Sequence, residues 1–346
     1  MERFLIVRLG SLGDLVHTLP AVAAIRRAHP DAVIDWLVEA PHAPFLELVP
    51  VVTRVITLRE RTARGWLAVR RELRARRYDI ALDFQGLIKS AALARLSGAS
   101  RVVGFDTDGL RERLAALFYG GRIGATGGRH VIYKNLALAQ AAGGRASSVA
   151  DPLEFPIVAV RSQAVRAIHE LGVDAFMLVN PGAAWPNKRW APERFGEVAR
   201  AVWERHELQS VVLWGPGERA IADAVVAASG GATMAAPQTG LADLIALARE
   251  AKLVLSGDTG PLHIAAAVGT PAVALFGPTD PGRNGPWTPE DIALSRYETC
   301  ACHYQRACTR AAGPCLADIT VDQVLDAVRT RLARASGAPA QAGRPS

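Results

Sequence analysis

The sequence predicts an α/β protein made of two Rossmann-like, doubly wound parallel sheets facing one another across a cleft. Three observations predict it. Short, continuous apolar runs recur along the chain, each followed by a helix-length segment, as in parallel sheets covered on both faces. The alternation pauses once, in the small, polar, proline-interrupted stretch 142–156, "AGGRASSVADPLEFP", and then restarts. The 346 residues, half of them hydrophobic, exceed what one ordinary core holds and suit two. The expected division is a first domain over 1–150, a second over 151–334 and a disordered tail over 335–346.

The first half opens with "FLIVRL" and a helix ending near Arg27. "VIDWLV" follows, then a short helix over Ala43 to Leu48, then "RVITL". An arginine-rich helix precedes "DIALDF", and a helix over Leu87 to Leu96 precedes "RVVGF". After a glycine-rich segment beyond Gly120 comes a helix from His130 to Ala141. In the second half a helix over Ser162 to Leu171 leads to "AFMLVN". Then come a helix from Pro192 to His206, "SVVLWG", a helix from Glu218 to Ala228 and "ATMAA". A helix over Leu241 to Ala251, "KLVLSG", a helix from Gly260 to Val268 and "PAVALFG" complete the sheet. The last helix runs from Val321 to Arg334.

No apolar stretch approaches the roughly 18–20 residues that span a bilayer, and the start of the chain lacks a cleavable signal pattern. The expectation is a cytoplasmic protein. The net charge is +7, and residues 54–77 hold nine arginines against two glutamates. A solvated helix face accounts for such a run; a surface for an anionic partner is the sharper reading. Aromatic residues are sparse there, so nucleic acid is not the expected partner. All four cysteines, Cys300, Cys302, Cys308 and Cys315, fall within sixteen residues. Their spacing, C-x-C-x5-C-x6-C, is not that of a zinc ribbon. Mostly reduced thiols, with room for one opportunistic disulfide, are the expectation, and a structural zinc with His303 as a further ligand is the alternative.

Four strand-to-helix junctions carry the candidate chemistry. "RLGSLGD" ends in Asp14 at a helix start; its glycines let a ligand approach backbone. It is neither G-x-G-x-x-G nor a P-loop, and by spacing alone Asp14 reads as a helix cap. "NPGAAWPNKRWAPERF" places Lys188 and Arg189 where a phosphate can be met. "LWGPGERA" sets Glu218 at a helix start, where it can receive ribose hydroxyls or simply favour the helix dipole. "VLSGDTGPLHIAAAVGTPAVALFGPTDP" is the most specific. Asp258, Thr259 and Gly260 open a helix with Pro261 in its first turn, and His263 stands beside the free amides that make an anion site.

Together "FLIVRLGSLGDLVHTLPAVAAIRR", "IDWLVE", "DFQGLIKSA", "RVVGFD", the Lys188 loop, the D-T-G segment and the late cysteine cluster resemble the family 9 glycosyltransferases, the bacterial heptosyltransferases of lipopolysaccharide core assembly. The resemblance runs from residue 4 to about 334. Within the family, "VHTLPA", "DWLVE" and "DFQGLIKSA" are most similar to members that add the first heptose to the Kdo of Kdo2-lipid A. The resemblance implies a GT-B fold, an ADP-heptose co-substrate, no required cofactor, and metal-independent transfer with inversion. It implies Asp14 as catalytic base. Lys188, Asp258, Thr259, Gly260 and His263 would stand at the donor diphosphate, Glu218 at the ribose and Thr239 near the adenine. Arg8, Ser11, Arg61, Arg64 and Arg111 are the acceptor-side expectations. The enzyme would associate peripherally with the inner leaflet of the bacterial inner membrane, on its cytoplasmic face. One departure stands out: Ala183 and Ala184 occupy a loop position where the family often has a hydroxyl. The competing expectations are a family relative with another donor or acceptor, and a non-catalytic anion- or metal-binding protein.

Overall fold

The computed structural model describes residues 1–124, 130–144, 152–311 and 313–337. The chain forms two compact units, Met1–Val158 and Ala159–Ser346. Part of the expected linker, 145–151, and most of the expected disordered tail, 338–346, lie outside the described residues.

The first unit contains β1 (Arg3–Val7), α1 (Leu12–Val16), α2 (Leu19–Ala28), β2 (Val33–Glu39), α3 (Ala43–Leu46), β3 (Arg54–Leu58), α4 (Ala63–Arg74), β4 (Ile80–Asp83), α5 (Ile88–Leu96), β5 (Arg101–Phe105), β6 (Gly121–Ile123) and α6 (Val131–Gln140). The second contains α7 (Gln163–Glu170), β7 (Phe176–Asn180), α8 (Pro192–His206), β8 (Gln209–Val212), α9 (Arg219–Ala228), β9 (Thr233–Ala235), α10 (Leu241–Glu250), β10 (Leu253–Gly257), α11 (Gly260–Ala267), β11 (Ala272–Phe276), α12 (Pro281–Asn284), β12 (Ile292–Ser295) and α13 (Val321–Ala335). The two sheets have six parallel strands each, in the orders β3-β2-β1-β4-β5-β6 and β12-β11-β10-β7-β8-β9. Each order reverses direction once, between β1 and β4 and between β7 and β10. Loops at the carboxyl ends of those strands border the crevice where ligands bind in such sheets.

The apolar runs become strands buried on both faces: β7, β10 and β11 are buried throughout. In the second unit Met177, Val179, Leu253, Leu255 and Val273 pack with Phe195 and Val198 of α8 and Val324 and Val328 of α13. Trp190 joins this core and donates from Nε1 to the Ile319 carbonyl at 3.0 Å, which anchors the loop carrying Lys188. In α4 only Val69 and Leu73 are buried, so its arginines line a solvated face.

Two features differ from the sequence expectation. The single first helix is two. Pro20 lacks the N–H that would bond back to Val16, so α1 ends and α2 begins at Leu19 with the proline in its first turn. Each sheet also gains an edge strand, β6 and β12, of three and four residues. An edge strand this short shows no continuous apolar run.

A buried carboxyl fixes the turn after β4. Asp83 accepts from Tyr119 Oη at 2.7 Å, Ser90 Oγ at 2.9 Å, Gln85 N at 2.9 Å and Gly86 N at 3.2 Å. Burial pushes its carboxyl up, and these donors only partly offset that. Tyr119→Phe removes one donor and keeps the ring. It is expected to lower stability by about 1–3 kcal/mol, read as a reduced urea midpoint with an unchanged denaturant slope.

Candidate active site

In the first unit the loop after β1 is stitched to the loop after β4. Arg8 Nη1 donates to the Phe84 carbonyl at 2.5 Å, and Leu9 N donates to Gln85 Oε1 at 2.8 Å. Arg8 Nη2 lies 2.5 Å from Asp14 Oδ1. Asp14 Oδ2 accepts from Ser11 N at 3.0 Å and Ser11 Oγ at 3.1 Å, which completes a capping box at the start of α1. Asp14 is therefore the third helical residue of a capping box whose N-cap is Ser11, and the partner of a buried guanidinium. Its side chain keeps 30% of its exposure against 9% for Arg8. The arginine is locked in place, and the carboxylate faces outward.

Gly10 has a steric reason to be glycine, since a Cβ there would come within 2.7 Å of His42 Nε2. Burial holds the His42 imidazole below its ordinary value, against the opposing pull of Glu39 and Asp14. At the end of β2, Glu39 receives Arg61 Nη2 at 2.6 Å and Lys89 Nζ at 3.2 Å. Burial raises the Glu39 carboxyl, but these cations outweigh it and leave it below its ordinary value. Arg8, Ser11 and Arg61 thus sit on loops, and Asp14 in the short helix α1, at one end of the sheet. Arg64 and Arg111 are exposed and stand outside this bonded cluster. His42, Glu39 and Lys89 were not singled out from sequence. The last two lie inside the quoted "DWLVE" and "DFQGLIKSA", where a charge directly follows or shortly trails an apolar strand.

In the second unit the hub is Asp258, only 6% exposed. Oδ2 receives Lys188 Nζ at 2.6 Å and Thr279 Oγ1 at 2.6 Å. Oδ1 receives Asn284 Nδ2 at 2.9 Å and stands 3.2 Å from His263 Nε2. Burial alone would raise this carboxyl; the hydrogen bond from His263 and the Lys188 ammonium more than offset it and hold it well below the usual carboxylate range. Lys188 also packs over the Trp185 ring, 4.7 Å from its centroid. Thr259 caps α11 without a side-chain bond to that helix. Its hydroxyl instead receives Asn180 Nδ2 at 2.9 Å, so the first-turn amides of α11 are left to backbone partners or a ligand.

Glu218 opens α9. Its Oε2 accepts from Gly215 N at 3.1 Å, and Oε1 lies 3.8 Å from Arg189 Nη2. Its carboxylate occupies the space that a Cβ on Gly182 would need. Gly217 takes a φ of +78°, the left-handed region that glycine tolerates. Thr239 is partly exposed in the loop between β9 and α10, a loop tied to β8's end by Trp214 Nε1 donating to the Ala236 carbonyl at 2.8 Å. Lys188, Asp258, Thr259, Gly260 and His263 come together; Glu218 stands on the neighbouring loop.

Cys300, Cys302 and Cys315 are buried beside the partly buried Cys308, and the Cys300 and Cys302 sulfurs are 3.5 Å apart. Burial pushes the Cys300, Cys302 and Cys315 thiols up, Cys302 to about 12. His303 is turned away, with Nε2 at 2.7 Å from the Tyr297 carbonyl and its ring stacked on Tyr297. Among the described residues no three His, Cys, Asp or Glu side chains are grouped to hold a metal ion. Among them, too, no helix is long and apolar enough to cross a membrane.

A family model described as glycosyltransferase family 9 (heptosyltransferase) matches residues 66–312. The lipopolysaccharide heptosyltransferase 1 of Pseudomonas aeruginosa is 32% identical over 330 residues, covering 89% of this chain and 87% of that protein. The solved Escherichia coli heptosyltransferase WaaC with ADP superposes with a TM-score of 0.76 at 26% identity, over 97% of this chain and 99% of its own. A family 9 glycosyltransferase structure from Veillonella parvula gives a TM-score of 0.82 at 23% identity, over 96% of this chain and 98% of its own, which speaks to the fold alone.

The Asp258 hub has a pH consequence. Its folded value lies below the ordinary 3.8, so its ionised form stabilises the fold at any pH above that ordinary value. The contribution is lost as pH falls through and below it. Asp258→Asn is expected to cost roughly 3–5 kcal/mol at pH 7, with the gap to wild type shrinking below about pH 4. Urea unfolding of both proteins from pH 8 down to pH 3 checks this; a pH-independent gap would contradict it.

Proposed function

The chain belongs to glycosyltransferase family 9, and from that premise we propose that it moves heptose from ADP-heptose to the Kdo of Kdo2-lipid A, inverting the anomeric centre without a catalytic metal. The carrying observation is the Lys188–Asp258 pair beside the start of α11. An ammonium has three N–H donors, and Asp258 engages Lys188 through one carboxylate oxygen at 2.6 Å and its carbonyl at 3.4 Å. Capacity is left for an anion. Charge develops on the leaving diphosphate as the glycosidic bond to it breaks, and a fixed ammonium plus helix-start amides stabilise it. Glu218 accepts hydrogen bonds from the ribose, and Thr239 stands by the adenine.

Asp14 takes the proton from the Kdo hydroxyl as that oxygen attacks the anomeric carbon from the face opposite the departing ADP. Arg8 orients the carboxylate. Ser11, Arg61, Arg64 and Arg111 meet the acceptor's carboxylates and phosphates, and the arginine face of α4 supports a peripheral, electrostatic association with the cytoplasmic face of the inner membrane. The division of labour is an acceptor domain in the first unit and a donor domain in the second.

Thermal shift with ADP, ADP-heptose and UDP- and GDP-sugars tests the donor, and mass spectrometry of Kdo2-lipid A after reaction tests the acceptor. Stabilisation by ADP-heptose alone among the sugars and a one-heptose mass gain are expected; no response to ADP or ADP-heptose overturns the reading. Asp14→Asn is expected to lower kcat on the order of 10²–10⁴-fold with ADP affinity nearly intact. Wild-type turnover would reduce Asp14 to a cap. Lys188→Ala is expected to weaken ADP binding about 10- to 100-fold and to lower turnover as well.

A further inference from the structure

The turn that carries Lys188 is held from the side by its neighbour. Asn187 is 3% exposed, and its Nδ2 donates to the Gln305 carbonyl at 2.8 Å and lies 3.8 Å from Cys302 Sγ. Both partners belong to the irregular loop after β12, whose buried side chains include Cys300 and Cys302. That loop is tied to a second part of the hub. Tyr304 N donates to the Pro278 carbonyl at 2.9 Å, and Asp280 N donates to Tyr304 Oη at 3.4 Å. Between those two residues stands Thr279, which bonds Asp258.

The backbone at this point has little room. A Cβ on Gly257 would stand 3.0 Å from the Lys188 carbonyl. One on Gly277 would stand 3.4 Å from both the Asn187 carbonyl and Cys315 Sγ. Gly257 lets the Lys188 carbonyl come close to the end of β10, and Asn187 pins this turn to the cysteine loop. Asn187 Oδ1 is buried with no hydrogen-bond partner among the described residues, which costs stability. A small apolar residue would avoid that cost, so what the amide supplies is its donated bonds.

We propose that Asn187 is a positioning residue for the donor diphosphate, clamping the Lys188 turn to the cysteine loop so that the ammonium stands in place before the donor arrives. A free lysine side chain is highly mobile, and fixing it in advance spares the donor that ordering. This inference rests on the reading of Lys188 as a donor contact.

The test is a double-mutant cycle on the full chain, with ADP affinity by calorimetry and KM for donor and acceptor measured separately. Asn187→Ala is expected to raise the ADP Kd and the donor KM about tenfold and to leave the acceptor KM unmoved. In a Lys188→Ala background the same change should add nothing, because its effect passes through the ammonium. Full multiplication of the two losses would show that Asn187 acts otherwise, and so would an unchanged ADP Kd in Asn187→Ala while Lys188→Ala weakens it. If Lys188→Ala itself leaves ADP affinity intact, the donor reading falls first, and this proposal with it. Should the alanine variant not fold, Asn187→Ser takes its place. Its hydroxyl is too short to reach the Gln305 carbonyl, so the same donor-specific loss is expected, and normal ADP affinity would overturn the clamp.

Discussion

The second unit depends on one buried carboxylate that has to stay ionised. Asp258 is taken out of water at the end of β10, and an unpaired charge there would be costly. Its two oxygens collect Lys188 from the loop after β7, His263 from α11, and Thr279 and Asn284 from the segment after β11. Three strand ends are thereby tied to one atom group. Gly257 follows from it, because the Lys188 turn must come close enough to reach. The hub fixes Lys188, which on the proposed reading is the residue that meets the donor.

The first unit answers with the same device turned inside out. In both units a charge pair stands where the strand order reverses, and in both one member is locked and the other is offered. At Arg8–Asp14 the cation is the more buried partner, with side-chain exposures of 9% and 30%; at Lys188–Asp258 the order is inverted, with 16% for the lysine and 4% for the aspartate. An outward carboxylate suits removal of a proton, and an outward ammonium suits an anionic leaving group. The polarity of each pair, more than the presence of charge, supports assigning base and donor chemistry to different units.

How much of this was legible in the sequence follows from distance along the chain. Strands buried on both faces announced themselves as apolar runs, and helices such as Pro192–His206 were bounded by local signals. The edge strands gave no such run, and one proline split a helix that otherwise read as continuous. The site residues stood out because their loops carry glycine, proline and charge together. Their partners did not. Arg8 bonds a carbonyl 76 residues away, and Asp258 reaches Thr279 and Asn284 across 21 and 26 residues. Spacing could therefore favour a capping role for Asp14, which it fills as the third helical residue of the box, but could not reveal the guanidinium behind it. Asn187 carried no signal at all beside the more conspicuous Lys188.

The two sides also differ in how readily they can exchange partners. Arg61 is 73% exposed where it meets Glu39, whose own side chain is only 12% exposed and is held by Lys89 as well. Because Lys89 also pairs with Glu39, an exposed Arg61 can turn to an anion without leaving that carboxylate unpaired. The Lys188–Asp258 pair is different. Breaking it would leave a charge uncompensated in a buried place, so a ligand must bind to the lysine without taking it from the aspartate. On the proposed reading, donor contacts are built into the stability of the second unit, whereas Arg61 is exposed enough to be shared. If the proposed roles hold, substitutions among the exposed arginines alter which acceptor is taken, while changes at the hub remove donor binding and stability together.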